Sequence, residues 1–389
     1  MIPYGHQNIT EDDITEVEKV LRSDFLTQGP TVPIFEQAVA KDCGASYGVA
    51  VNSATSGLHI ACLALNLGSG DWLWTSPNTF VASANCAQYC GANVDFVDID
   101  PKTYNMNIEE LSKKLERAEK LGRLPKIVMP VHFAGQPCDM PSIYNLSKRY
   151  GFKIIEDASH AIGSSYDKIK VGSCAHSDVT VFSFHPVKII TTAEGGMALT
   201  NNNDIAERMS RLRAHGITRD IKKMNQQPKN EIWNYQQIDL GFNYRMNDIQ
   251  AALGLSQLKR LDDHVKRRHE IAKIYNDEFN CLPITKPCQS PGNYSSYHLY
   301  PILIKENLIK KNQKQIYDEF RNNNIAVNLH YSPVHRHPYY ENLGFKKNDF
   351  PQAEKFHREV ISLPIFPTLT IQQQDKVINH LKSAINKNE

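Results

Sequence analysis

Short apolar, β-branched runs alternate with amphipathic stretches through the first 200 residues of this chain. The runs Tyr47–Val51, Trp72–Thr75, Val94–Asp98, Lys126–Pro130, Lys153–Glu156, Asp178–Ser183 and Gly196–Thr200 read as strands. Between them, Thr55–Leu67, Ile108–Lys120 and Met140–Tyr150 read as helices, with Ile108, Leu111 and Leu115 forming one apolar stripe. This alternation predicts an α/β domain whose mostly parallel sheet is covered on both faces. Such sheets bind ligands beyond the carboxyl ends of their strands.

The pattern changes after Asn247. A single long helix is expected from Asn247, as N-cap, to Phe279, with Ile249, Leu253, Leu258, Leu261, Val265, Ile274 and Tyr275 along its apolar side. Pro283, Pro287 and Pro291 then break the chain. A smaller α/β segment follows, with strand Tyr297–Ile304, helix Lys311–Asn322 and strand Ile325–Leu329. The expected division is a large domain over 1–250 and a small one over 251–389, bridged by the helix 247–279. The polar stretch Arg219–Asn234 is expected to be a surface loop.

The chain's 389 residues suffice for two domains. A net charge of +2 offers no broad basic field, so nucleic acid is not an expected partner. The eight cysteines make no CxxC pair and no metal-ligand spacing, and read as reduced thiols, mostly buried; no metal site is expected. The N-terminus lacks the charged and apolar regions of a signal peptide. No apolar run approaches about 18 residues. A cytoplasmic protein without membrane association is therefore expected.

The chemistry gathers at strand ends. Val181-Phe-Ser-Phe-His-Pro-Val-Lys188 runs from a strand into a lysine flanked by Val187, Ile189 and Ile190. Apolar surroundings lower a lysine's pKa and keep more of it as free amine. Lys153-Ile-Ile-Glu-Asp157 ends a strand in an acid. A lysine and an acid so placed suit pyridoxal phosphate. The lysine links to the aldehyde, and the acid keeps the pyridine nitrogen protonated. His160 is positioned to hydrogen-bond the cofactor's phenolic oxygen, to lie near its ring, or to fill the core. Ala54, Thr55 and Ser56 lie where a strand enters a helix, whose N-terminus attracts a phosphate; a ligand-free cap looks the same in sequence. Ser183 adds a hydroxyl, and Phe80 an aromatic face for a flat ring. A dinucleotide reading fails because no GxGxxG follows the first strand.

These motifs, in this order, resemble the DegT/DnrJ/EryC1/StrS family of nucleotide-sugar aminotransferases from Ile2 to about residue 385. The likeness is carried by Gly29-Pro30, Ala54-Thr55-Ser56, Asn78-Thr79-Phe80, Val131–Gln136, Glu156–Ala161, Ser183–Lys188, Gly241–Asn247 and Phe350–Glu354. It implies the α/β fold of the type I pyridoxal-phosphate transferases, aspartate aminotransferase-like, with a seven-stranded sheet. It further implies that Lys188 carries the cofactor, that Asp157 pairs with its ring nitrogen, and that a homodimer's partner chain supplies Asn243 to the phosphate. Ala54 stands where the family usually has glycine, which narrows the freedom of the phosphate turn. Relatives that dehydrate carry histidine at the lysine position, so Lys188 argues for amino transfer. Ile2–Tyr4 and Ser23–Pro30 resemble the pseudaminic acid branch, which implies a UDP-linked 4-keto-6-deoxy-N-acetylhexosamine aminated at C4, with L-glutamate as donor. Tyr4, Phe25, Leu26, Thr27, Gln28, His330 and Tyr331 would then line the sugar site. Arg219 and Arg245 would meet the diphosphate, or else be solvated or paired between subunits.

Overall fold

The computed structural model describes residues 1–225, 231, 233–305 and 307–386. Its centre is a seven-stranded sheet: β1 Tyr47–Val51, β2 Trp72–Thr75, β3 Asn93–Phe96, β4 Ile127–Met129, β5 Lys153–Asp157, β6 Val179–Ser183 and β7 Gly196–Thr200. The spatial order is β1-β7-β6-β5-β4-β2-β3. All neighbours run parallel except β7, which is antiparallel to both β6 and β1. β4, β6 and β7 are buried along their whole length, which explains their continuous apolar runs.

The helices form where local signals and burial agree. Ser53 caps Ala54–Ala64, its Oγ accepting from Ser56 N–H at 3.2 Å. Asn107 caps Ile108–Lys120, which buries Leu111, Leu115 and Ala118. Each of those leucines contributes about 1.5–3 kcal/mol by leaving water. The third strand expected at Val94–Asp98 ends at Phe96, because Asp98 instead caps the distant helix Pro351–Glu359 through the N–H groups of Gln352 and Ala353, both at 2.9 Å.

The helix expected over 247–279 is two helices, Asp248–Leu258 and Leu261–Glu278, broken at Lys259–Arg260. Asn247 caps the first in a reciprocal capping box with Gln250. Arg260 leaves helical geometry to donate to Asp13 at 2.7 Å, tying the N-terminal helix Glu11–Leu21 to the break. Ile325–Leu329 does not form a strand. Ile325 bridges Ile2, and Asn328 bridges Ser362, so this segment is shared between two different neighbours. The C-terminal half carries a three-stranded antiparallel sheet of Ile284–Thr285, Tyr300–Ile304 and Val360–Leu363. Ile2 packs into this half's core with Ile302, Ile316 and Val377. Of the polar stretch 219–234, residues 226–230 and 232 lie outside the described residues. All eight cysteines are free, five of them buried. Among the described residues no helix is long and apolar enough to cross a membrane, and no side-chain cluster is arranged to hold a metal ion.

Asp13 is fully buried and accepts from Thr10 N–H, Gln257 Nε2 and Arg260 Nη2 on one oxygen. Burial alone would raise its pKa; the guanidinium and the N–H donor outweigh it and hold the carboxyl below its usual value. Asp13→Ala leaves Arg260 without its carboxylate and is expected to cost about 3 kcal/mol in chemical denaturation. The pair's contribution is present above the unfolded carboxylate pKa and is lost as pH falls through the lower native value.

Candidate active site

Lys188 sits in the loop that turns back from β6 into β7. Phe184 pins this loop: its N–H donates to Gly195 O at 2.9 Å, and its carbonyl accepts from Thr192 N–H and Thr191 Oγ1 at 3.0 and 2.9 Å. Lys188 N–H donates to His185 O at 2.9 Å, and the following Ile189 and Ile190 are buried. The half-buried lysine opens into a cavity of about 610 Å³. Val131 after β4, Asp157 at the end of β5 and Ser183 at the end of β6 form its floor.

Burial lowers the Lys188 pKa to about 8, against the opposing pull of Asp157. At pH 7.5 this leaves about a quarter of the amine unprotonated, against about 0.1 % for an ordinary lysine. Acylation of Lys188 in cofactor-free protein, followed by peptide mass spectrometry across pH, is expected to show a midpoint near 8. A midpoint above about 10, the ordinary lysine range, would contradict it.

Asp157 is buried and braced from both sides. Ser83 Oγ donates to Oδ2 at 2.5 Å, and Ser159 Oγ to Oδ1 at 2.6 Å. Thr79 Oγ1 extends the chain to Ser83 at 2.7 Å. The carboxylate keeps lone pairs for a further donor. Sequence reading missed Ser83 and Ser159. Ser159 had a local signal, two residues past the acid, whereas Ser83 lies 74 positions away.

The strand–helix junction after β1 opens the helix Ala54–Ala64 at the edge of the cavity. Ser53, Ala54 and Thr55 line the cavity. Ser56 is spent within the loop: its N–H goes to Ser53 Oγ, and its own Oγ donates to Asn52 Oδ1 at 2.7 Å. A Cβ on Gly196 would lie 2.7 Å from Ala54 N, so only glycine lets β7 pass this close to the junction. Phe80 borders the cavity at 59 % exposure, with its ring centroid 6.3 Å from that of Tyr331.

Histidines and tyrosines close the far side. His160 Nδ1 accepts from Ala134 N–H at 3.3 Å, so its Nε2–H faces Tyr331 Oη at 3.1 Å. His330 is held between Ser362 Oγ at 2.9 Å and Asn328 Nδ2 at 3.2 Å. Burial, then the charge of Lys188, pushes His330 down to about 3. Burial likewise drives His160 well below the usual range, helped by Lys188 and His330. Tyr4 lies 5.3 Å from His330, centroid to centroid, and Tyr331 is joined to His330 by a cis peptide.

Thus Lys188, Asp157, Ala54, Thr55, Phe80, His160, Ser183, Tyr4, His330 and Tyr331 meet in one cavity. The chain does not bring the remaining sequence-read residues to it. Phe25 and Leu26 are 53 % and 47 % exposed, and Thr27, Gln28, Arg219 and Asn243 are also on the surface. Arg245 is half-buried beside β1, bridging Val51. A separate groove of about 810 Å³ opens beside β3. Its Lys114 is paired with Asp95 at 2.7 Å and lies over Trp74, and none of the sequence-read residues lines it.

An antiparallel β7 within a parallel sheet, a lysine in the loop before it and an acid ending β5 together place an amine and a carboxylate at one cavity. The chain belongs to the DegT/DnrJ/EryC1/StrS aminotransferase family, whose profile matches residues 7–382. It is 36 % identical over 393 residues to the UDP-4-amino-4,6-dideoxy-N-acetyl-beta-L-altrosamine transaminase of Campylobacter jejuni, covering 100 % of this chain and 98 % of that one. It is 37 % identical to the spore coat polysaccharide biosynthesis protein SpsC of Bacillus subtilis, over 99 % and 97 %. Among solved structures, Helicobacter pylori PseC, an aminotransferase of pseudaminic acid biosynthesis, superposes with a TM-score of 0.88 at 31 % identity, over 99 % of each chain. Spr1654 of Streptococcus pneumoniae, described as a sugar aminotransferase and solved in its PMP form, gives 0.89 at 30 %, over 100 % of each.

Proposed function

We propose that this enzyme transfers the amino group of L-glutamate to C4 of a UDP-linked 4-keto-6-deoxy-N-acetylhexosamine in the cytoplasm. The observation that carries the reading is Lys188, a low-pKa amine facing Asp157 across a cavity with the helix Ala54–Ala64 opening at one end. The residues fit pyridoxal phosphate. Ala54, Thr55 and Ser183 suit its phosphate, Asp157 its ring nitrogen, and Phe80 one ring face. When bound, that cofactor supplies an electron sink for a carbanion at the amino-bearing carbon.

Lys188 has two tasks in this reading. Its neutral amine would hold the cofactor, and its Nζ would move the proton of the substrate Cα. Its pKa near 8 suits it to both directions at neutral pH. Asp157, with a hydroxyl donating to each carboxylate oxygen, keeps the ring nitrogen protonated. His160, kept neutral by burial, has its Nε2–H aimed at Tyr331 beside the reacting atoms.

Among the described residues, the cavity's own chain offers Lys188 as its sole lining lysine or arginine. A nucleotide diphosphate needs more cations than that. We assign them to a second copy of the chain, which brings Asn243 to the cofactor phosphate and Arg219 or Arg245 to the diphosphate. Phe25–Gln28, Tyr4, His330 and Tyr331 face the sugar in this arrangement.

Incubation with glutamate and a panel of UDP- and dTDP-linked keto sugars tests the reading. The expected result is stoichiometric 2-oxoglutarate and a C4 amine, assigned by NMR, on the UDP sugar. Sugar dehydration without 2-oxoglutarate would overturn amino transfer. Amination confined to dTDP sugars would overturn the nucleotide.

A further inference from the structure

Arg268, in the middle of the helix Leu261–Glu278, is fully buried and faces no carboxylate among the described residues. Its Nη1 donates to three carbonyls, Tyr297 at 3.1 Å, His298 at 3.3 Å and Ile365 at 2.8 Å, while Nε and Nη2 have no partner among those residues. Burial lowers its pKa only to about 9, so it remains charged at neutral pH. A buried cation without a counter-ion costs several kcal/mol, and an apolar side chain of similar volume would serve stability better.

What the guanidinium holds is a turn under the active site. Tyr297 sits at φ +47°, a left-handed conformation that costs a side-chain-bearing residue about 1 kcal/mol or more. Ser295 Oγ accepts from Tyr297 N–H at 3.0 Å, and Ser296 Oγ donates to His160 O at 2.7 Å. The next residue, His298, lines the cavity with its ring centroid 4.3 Å from that of His160. The charged or titratable groups facing His298 are His160, Lys188, Arg268 and His330, and after burial all of them act to keep it neutral.

We propose that Arg268 is a positioning residue for the transamination. It locks the Tyr297–His298 turn so that a neutral His298 presses on His160 and fixes the Nε2–H of His160 on Tyr331 Oη. The inference rests on the transaminase reading above, but part of its test needs only the cofactor.

Three measurements on the full-length holoenzyme decide it: steady-state kinetics, thermal stability, and the pH titration of the bound cofactor's visible absorbance, which requires no sugar. Arg268→Met is expected to lower kcat about tenfold with both KM values within about twofold, because the hydrogen bonds it removes serve the reacting geometry and not substrate binding. Its Tm is expected to stay level or rise, and the absorbance midpoint to move by about half a pH unit or more. Arg268→Lys, which keeps the charge, is expected to recover most of both. A midpoint unmoved in Arg268→Met overturns the inference, whether kcat holds or falls together with Tm. Should Arg268→Met not fold, His298→Asn must move the midpoint while leaving Arg268 in place, and an unmoved midpoint there overturns it equally. Absence of sugar amination in the wild type, with the midpoint shifts present, would overturn the proposed substrate and leave Arg268's role standing.

Discussion

Lys188→Ala is expected to lower transamination by about 10⁴-fold, the upper end of what one positioned acid–base group contributes. The loss is this large because, in the proposed mechanism, one side chain both anchors the cofactor and moves the proton. The fold should tolerate the change. Burial already works against the charged form of this amine, so deleting it removes a desolvation cost, and Tm is expected to hold or rise. Lys188→Arg provides the contrast: it keeps a cation at the site without a nucleophilic amine, and should be as inactive as the alanine variant. Stopped-flow absorbance of the glutamate half-reaction separates the roles. Supplied with free pyridoxal phosphate, the alanine variant should still bind it at the Thr55 junction, yet show no step with glutamate on the wild-type timescale. Turnover within about tenfold of wild type in either variant would remove Lys188 from the centre of the mechanism.

The second large effect is expected at Asp157. Asp157→Asn keeps an oxygen for Ser159 to donate to, and its new amide NH2 can donate to the Ser83 hydroxyl once that hydroxyl turns to accept, so the floor of the cavity should survive. It removes the negative charge that would hold the ring nitrogen protonated. Breaking a buried pair of this kind costs about 3–5 kcal/mol, which corresponds to about 10²- to 5 × 10³-fold in kcat at about 1.36 kcal/mol per tenfold. Asp157→Ala should be worse in stability as well, since it strands the buried Ser83 hydroxyl and the half-buried Ser159 hydroxyl. Rescue of Asp157→Asn by N-methylated pyridoxal phosphate, whose nitrogen carries a fixed charge, would tie the loss to that charge. Activity of Asp157→Asn near wild type would detach the acid from the chemistry.

Much of this architecture was legible in the sequence, for a physical reason. Strands buried on both faces read as nearly continuous apolar runs, so β4, β6 and β7 stand out, and polar residues at the end of a run mark where the chain leaves the sheet. That is how Asp157, Ser183 and Lys188 declared themselves. Asn247 declared its helix because a cap is a local interaction. What the sequence did not disclose was non-local. The break at Lys259–Arg260 accompanies an ion pair with Asp13, on the N-terminal helix 247 positions earlier in the chain. Ser83 braces Asp157 from another helix altogether. Arg268 looked like one more charged residue on an amphipathic helix, and only the fold shows it to be enclosed. Phe25–Gln28, Arg219 and Asn243 illustrate a different limit: they lie on the surface, and no pattern along one chain says which cavity a surface residue faces.

The close approach of Gly196 to Ala54 bears on how the family can drift. The junction's width is set by main chain against main chain, not by side chains meeting. Side chains around it can therefore change identity while the junction keeps its dimensions. Position 196 has no such latitude, since a single added carbon would have to displace backbone. In a saturation library selected for function, residue 54 should accept several replacements and residue 196 almost none.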